Sequence, residues 1–159
     1  MNILFVCLGN ICRSPMAEAV MRHMLAKEGL SDVVTVDSVA TGDYHTGEPP
    51  HIGTQNKLKE KGISFDGIYA RRVTLDDIVE ADYVLAMDNK VCGRTKALCD
   101  PELEKKVVLL STYGKGGWEE VPDPWYTGDF DLAYDLVLEG CSGVMEEIRA
   151  KLANGAADA

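Results

Sequence analysis

No run in this chain reaches the roughly 18–20 consecutive apolar residues that a bilayer-spanning helix requires, so membrane insertion is not expected. Its start, Met1-Asn2-Ile3-Leu4-Phe5-Val6-Cys7, has neither the basic leader nor the small-residue cleavage site of a secretory signal. Cysteine is scarce. The five present (Cys7, Cys12, Cys92, Cys99 and Cys141) are odd in number and scattered, unlike a disulfide framework, and no paired Cys-x2-Cys units offer a zinc site. Together these absences predict a cytoplasmic protein in a reducing compartment, where a cysteine serves packing or reactivity. Cations are outnumbered too: 16 Lys and Arg stand against 26 Asp and Glu, for a formal net charge of −10. That surplus repels a nucleic-acid backbone and argues against nucleic-acid binding. A small anionic substrate stays open, because a cleft can carry the opposite sign to the surface.

What is present fits one folded domain. Apolar residues make up 46% and charged residues 26% of 159 residues, the balance of a globular chain large enough to bury a continuous core. Ile3 to Val6 is a short apolar run suited to a strand buried on both faces. Pro15 to Lys27 carries an apolar stripe at helical spacing and stops at Gly29. Strands are predicted at 33–39, 83–87 and 107–110, and helices at 52–61, 75–81, 90–98 and 131–152, the last weakened by Gly140 and Gly143. The expected class is α/β: an open, mainly parallel four-stranded sheet with helices on both faces. One domain over 1–154 and a frayed tail over 155–159 is the simplest organisation. In such sheets ligands bind beyond the carboxyl ends of the strands, where Cys7 and Asp88 stand.

The segment Cys7-Leu8-Gly9-Asn10-Ile11-Cys12-Arg13-Ser14-Pro15 links the end of that first strand to the start of the first helix. Pro15 suits the first helical position and Ser14 the N-cap. Such a loop can wrap backbone N–H groups around a tetrahedral dianion, helped by the positive end of the helix. Gly9 permits an unusual backbone angle, and Asn10 tolerates the left-handed one. Arg13 supplies a planar guanidinium able to hold two phosphate oxygens at once. The same donors favour a thiolate at Cys7, and Ser14 can add a hydroxyl to the sulfur. These parts support in-line attack of sulfur on phosphorus through a cysteinyl-phosphate intermediate. A nucleotide-binding loop is a poorer reading, since the Gly-Lys-Ser/Thr ending is missing.

Such a reaction needs one carboxyl group to protonate the leaving oxygen and then activate water. Asp123 stands out among the acids because Pro122 and Pro124 restrict its backbone, and Trp125 and Tyr126 lie beside it and could desolvate it. From pattern alone, a plain turn aspartate remains an alternative. No metal or cofactor is asked for, and His23, His45 and His51 read as surface or packing histidines.

The first 21 residues, with Val6-Cys7-Leu8-Gly9-Asn10-Ile11-Cys12-Arg13-Ser14-Pro15-Met16-Ala17-Glu18-Ala19, resemble the low-molecular-weight protein tyrosine phosphatases. The likeness extends through Asp37-Ser38, residues 47–50, 83–88 and Asp123-Pro124. It implies Cys7 as nucleophile, Arg13 as phosphate clamp and Asp123 as acid and then base. Leu8, Gly9, Asn10, Ile11, Cys12, Ser14 and Ser38 would shape or support the phosphate loop. Tyr44 occupies the position of the family's aromatic wall, with Trp125 and Tyr126 on the facing loop. The implied substrates are phosphotyrosine proteins or peptides, with inorganic phosphate as product, and the implied state is a monomer or weak dimer.

Some positions depart from that pattern. Many relatives carry an aspartate and soon an arginine after the match to Pro49-Pro50, where this chain has His51, Ile52 and Gly53. Some place a histidine that steadies the loop asparagine where Lys61 stands, and the family's loop has a tyrosine in place of Trp125. Cys12 reads either as a redox partner forming a reversible disulfide with Cys7 or as an inert buried thiol. A branch acting on phosphoarginine resembles this loop with threonine in place of Ile11, which favours phosphotyrosine here. Thiol-coupled arsenate reductases share the loop and need two more cysteines, but Cys92 and Cys99 are predicted on a helix about 10 Å apart, too far for a disulfide. A non-catalytic phosphotyrosine-binding module would need neither Cys7 nor Asp123.

Overall fold

The computed structural model describes residues 1–158, with side chains through Gly155. Four strands form, β1 (Asn2–Cys7), β2 (Thr35–Ala40), β3 (Tyr83–Ala86) and β4 (Val107–Leu109), in the order β2-β1-β3-β4. Every pairing is parallel, so the expected mainly parallel sheet is wholly so. In β1 both sets of alternating side chains are buried. Ile3, Phe5 and Cys7 enter one core and Leu4 and Val6 the other, which is why the run is continuously apolar rather than alternating.

Helices cover both faces. On the first lie α1 (Arg13–Lys27), α2 (Ile52–Glu60) and α7 (Phe130–Asp158), which bring Met16, Met21, Leu58, Val137 and Ile148 onto the sheet. On the second lie α3 (Leu75–Glu80) and α4 (Asn89–Lys96), contributing Ile78, Val91 and Cys92. Two short helices, α5 (Pro101–Glu104) and α6 (Pro124–Thr127), and a 3-10 turn at Leu110–Tyr113 complete the described residues and were not expected from sequence. Four-residue pieces carry too little periodicity to be read. Residues 155–158, read from sequence as a frayed tail, continue α7, and Ala159 lies outside the described residues. Among the described residues no helix is long and apolar enough to cross a membrane.

Because β2 lies on one side of β1 and β3 on the other, the chain leaves the sheet in opposite directions from its two central strands. This opens a crevice at their carboxyl ends, where Cys7 stands.

The glycines that weaken the last helix have a packing reason. A Cβ at Gly143 would lie 1.8 Å from the Tyr113 carbonyl oxygen, and one at Gly140 2.5 Å from Leu110 Cγ. The helix therefore lies directly against the 3-10 turn that follows β4. Gly143→Ala should cost about 2–3 kcal/mol of stability in urea unfolding, since a backbone atom cannot step aside as a side chain does. Helix propensity alone would give the opposite sign.

Candidate active site

Between β1 and α1 the chain closes around the sulfur of Cys7. Ser14 Oγ lies 3.0 Å from Cys7 Sγ, and the Asn10 backbone N–H donates to the same sulfur at 3.2 Å. Asn10 adopts φ 56°, the one non-glycine residue in the left-handed region among the described residues. Gly9 does not need that freedom. Its missing side chain instead admits His45, whose Cδ2 would lie 3.1 Å from a Cβ there. Ser14 is not the N-cap either: α1 begins at Arg13 with Cys12 as N-cap, and the Ser14 hydroxyl is used on the sulfur. No side chain caps α1 and no acidic residue lies in its first turn, whereas His51, Thr74 and Asp88 cap α2, α3 and α4. The N-terminal N–H groups of a 15-residue helix are thus left facing the loop, as an anion site requires.

Arg13 is buried at 2% exposure and held from below. Its Nη1 donates to Asp88 Oδ2 at 2.7 Å and to the Val121 carbonyl at 2.9 Å, and its Nη2 reaches Asp123 Oδ2 at 3.5 Å. Burial works against its charge, but negative charge on Cys7, the hydrogen bond to Asp88 and the charge of Asp123 outweigh it and hold the guanidinium above its ordinary pKa. Asp123 caps α6, its Oδ1 accepting from the Trp125 N–H at 3.1 Å. The short helix that starts at Pro124 thereby aims the carboxylate back at Arg13, with the proline at its first helical position.

Beside these groups lies a cleft of about 460 Å³, lined by the loop, Arg13, Asp123, Tyr44, His45, Trp125 and Tyr126. The structure thus brings Cys7, Leu8, Gly9, Ile11, Cys12, Arg13, Asp123, Tyr44, Trp125 and Tyr126 to one place, with Asn10, Ser14 and Ser38 behind it. Cys92 and Cys99 do not line it. Cys92 points at the Val107 carbonyl and Cys99 at those of Thr95 and Lys96, away from the relay an arsenate reductase would need. Among the described residues no group of three or more His, Cys, Asp or Glu side chains could hold a metal ion.

The family model for low molecular weight phosphotyrosine protein phosphatase matches residues 2–154. The chain belongs to that family. It is 42% identical over 149 residues to the low molecular weight protein-tyrosine-phosphatase YfkJ of Bacillus subtilis, covering 93% of this chain and 96% of that one. The crystal structure of YfkJ superposes with a TM-score of 0.92 over 95% of this chain and 96% of that one. PtpA of Staphylococcus aureus, of the same description, is 40% identical over 147 residues, 92% of this chain and 93% of that one. A Drosophila arginine phosphatase is also similar, with a TM-score of 0.84 and 33% identity over 93% of this chain and 98% of that one.

Within this phosphatase frame the loop asparagine is steadied without the histidine that some relatives place at position 61. Lys61 lies 5.3 Å from the Tyr134 ring centroid; Asn10 Oδ1 instead accepts from the Arg71 backbone N–H at 3.0 Å. The Arg71 side chain is itself fixed by Asp77 (2.9 Å) and Asp37 (2.6 Å). Asn10 Nδ2 donates to Ser14 Oγ (2.8 Å) and Ser38 Oγ (2.9 Å), and Ser38 donates to Glu18 Oε1 at 2.7 Å. Sequence reading gave no role to Arg71, Asp88, Glu18 or His45. Only Asp88, placed after the third strand, carried a positional signal. Burial, with a lesser contribution from Cys7, pushes the Cys12 thiol up to about 12. A protonated, packed thiol follows at neutral pH, and a resolving role would require it to lose that proton.

Burial also pushes the Glu18 carboxyl from 4.5 to about 6, against the hydrogen bond from Ser38, with Asp37 adding to the rise. A carboxyl whose folded pKa is raised binds more protons folded than unfolded between those values, so stability falls as pH rises through that window. Glu18→Gln removes the titration. Its stability relative to wild type should therefore rise by about 1–2 kcal/mol between pH 4.5 and pH 7, read by urea unfolding of both proteins at each pH.

Proposed function

We propose that the protein hydrolyses phosphotyrosine in proteins or peptides, releasing inorganic phosphate through a cysteinyl-phosphate intermediate. The observation that carries this reading is the convergence of Cys7, Arg13 and Asp123 at the floor of a single cleft with flat aromatic walls. Cys7 Sγ attacks phosphorus while α1's N-terminal N–H groups and Arg13 hold the equatorial oxygens. The P–O bond to the aryl group breaks as the P–S bond forms, and Asp123 gives its proton to the leaving phenolate. In the second step Asp123 takes a proton from water, whose oxygen attacks phosphorus and expels the thiolate. Asn10, Ser14 and Ser38 keep the loop shape and the donors to sulfur, and Leu8, Gly9, Ile11 and Cys12 form its floor. Tyr44, Trp125 and Tyr126 grip the phenyl ring. Five free cysteines fit a cytoplasmic setting.

Phosphoarginine is the second reading, favoured by the likeness to the arginine phosphatase. Against it stands Ile11, an apolar side chain in the cleft lining with no polar contact to offer a guanidinium.

Metal-free enzyme with p-nitrophenyl phosphate and with phosphotyrosine, phosphoserine and phosphoarginine peptides tests both. Turnover should prefer phosphotyrosine, fall by at least about 10³-fold on every substrate in Cys7→Ser and by about 10²-fold on phosphotyrosine in Asp123→Ala, with a smaller loss on p-nitrophenyl phosphate. Undiminished turnover in Cys7→Ser would sink the mechanism, and preference for phosphoarginine would move the assignment to the second reading.

A further inference from the structure

Two of the departures from the family pattern, His51 and Trp125, are in contact. Their ring centroids lie 5.6 Å apart, edge to face at 79°. On its other side His51 stacks on Phe130 at 5.2 Å and 20°, while Trp125 meets His45 at 5.4 Å. The result is a ladder of four rings, His45–Trp125–His51–Phe130, running from the cleft lining to the start of α7.

His51 is also held by its backbone and by Nδ1. Its backbone N–H donates to the Ile11 carbonyl of the phosphate loop at 2.7 Å. Its Nδ1 accepts from the Gly53 N–H at 3.0 Å, capping α2, which places the proton of the neutral ring on Nε2. Phe130, the first residue of α7, packs against Ile11 and Cys12 as well. Its seat is built for it, because a Cβ at Gly53 would lie 2.4 Å from the ring. The rung above is the acid loop: the Trp125 N–H donates to Asp123 Oδ1, so the ring that His51 supports belongs to the residue that orients the carboxylate.

We propose that His51, seated on Phe130, is a positioning residue that braces Trp125 and thereby holds Asp123 over the phosphate loop. This rests on the reading of Asp123 as the proton donor. It gives the polar ring of His51 a use that neither helix capping nor substrate contact requires, and it accounts for two departures together.

A misplaced acid has a particular signature. p-Nitrophenolate leaves with little help from a proton, whereas phenolate needs one, so loss of positioning should fall on phenyl phosphate and spare p-nitrophenyl phosphate. Two substitutions separate the brace from the cap. His51→Asn keeps a good N-cap acceptor and removes the ring; His51→Phe keeps a ring and removes the acceptor. In kcat/KM, His51→Asn should lose about tenfold on phenyl phosphate and less than about twofold on p-nitrophenyl phosphate. His51→Phe should restore most of that loss. Gly53→Ala, which displaces Phe130 at a helical position where alanine is favourable, should reproduce the signature of His51→Asn, and it decides the matter alone if His51→Asn does not fold.

Equal effects on the two substrates, or a His51→Phe as impaired as His51→Asn, would overturn the brace. Asp123→Ala runs beside them as the reference. If it shows no bias between the substrates, the acid reading falls and the brace with it. If it shows the bias and the His51 and Gly53 variants do not, only the brace falls.

Discussion

Asn10 holds φ 56°, a conformation that costs a non-glycine residue about 1 kcal/mol or more, and its carboxamide makes the three hydrogen bonds that sustain it. The Nδ2 group ties Ser14 to Ser38, and Oδ1 takes the Arg71 N–H. Three separate elements, α1, β2 and the segment entering α3, are thereby referred to one side chain. The left-handed turn has a direct consequence at the sulfur, since it points the Asn10 N–H at Cys7 Sγ. With an ordinary right-handed turn that donor would face elsewhere and the loop could not close. A glycine would accept the angle, but it would lose the amide that makes the angle the only stable choice.

Arg13 faces two carboxylates, and they are not equivalent. Asp88 bonds to Nη1 at 2.7 Å and is itself locked as the N-cap of α4, accepting from the Val91 N–H. Asp123 reaches Nη2 at 3.5 Å from a short helix on a loop. The first contact fixes the guanidinium plane, and the second is the one that can yield. In the proposed reaction a phosphate dianion and an ionised Asp123 would compete for the same edge of Arg13 and repel each other. The uncharged acid is the form that fits beside the dianion, and it is also the form the first step consumes.

The parts legible in the sequence were those whose physics is local. A strand, a loop and a helix in succession pointed to the cradle, while the flanking prolines singled out Asp123 and only the family resemblance made it the expected acid. The loop's internal wiring was less legible. Ser14 was read both as helix cap and as hydroxyl partner of the sulfur, and only the second holds, because the sulfur has first claim on its hydroxyl. Gly9 and Asn10 were both read as able to take an unusual angle; Asn10 takes the left-handed one, and Gly9 makes room for His45 instead. Arg71 lies 61 residues from Asn10, and no periodicity reports a contact at that distance. His51 and Phe130 likewise meet only because α2 and α7 pack side by side. Residue type shows what a group can do; which of several available partners it takes is settled by tertiary packing.

Net charge is a poor guide to such a site because the cradle hardly uses net charge. Of the cations, one buried arginine enters it, and the rest of its positive character is backbone N–H at an uncapped helix end. Those dipoles are fixed and partly shielded from water, so they act at full strength over a few ångströms while the surface excess of acid is screened. Depth then adds selection to affinity. Cys7 is only 3% exposed, whereas Tyr44, Trp125 and Tyr126 at the lip are 70%, 52% and 77% exposed. A phosphate on a short serine side chain that reached the sulfur would draw its own backbone down between those rings. A phenyl ester spans the distance with a flat, rigid ring that the same walls can hold, so the geometry that buries the nucleophile also favours the aromatic ester.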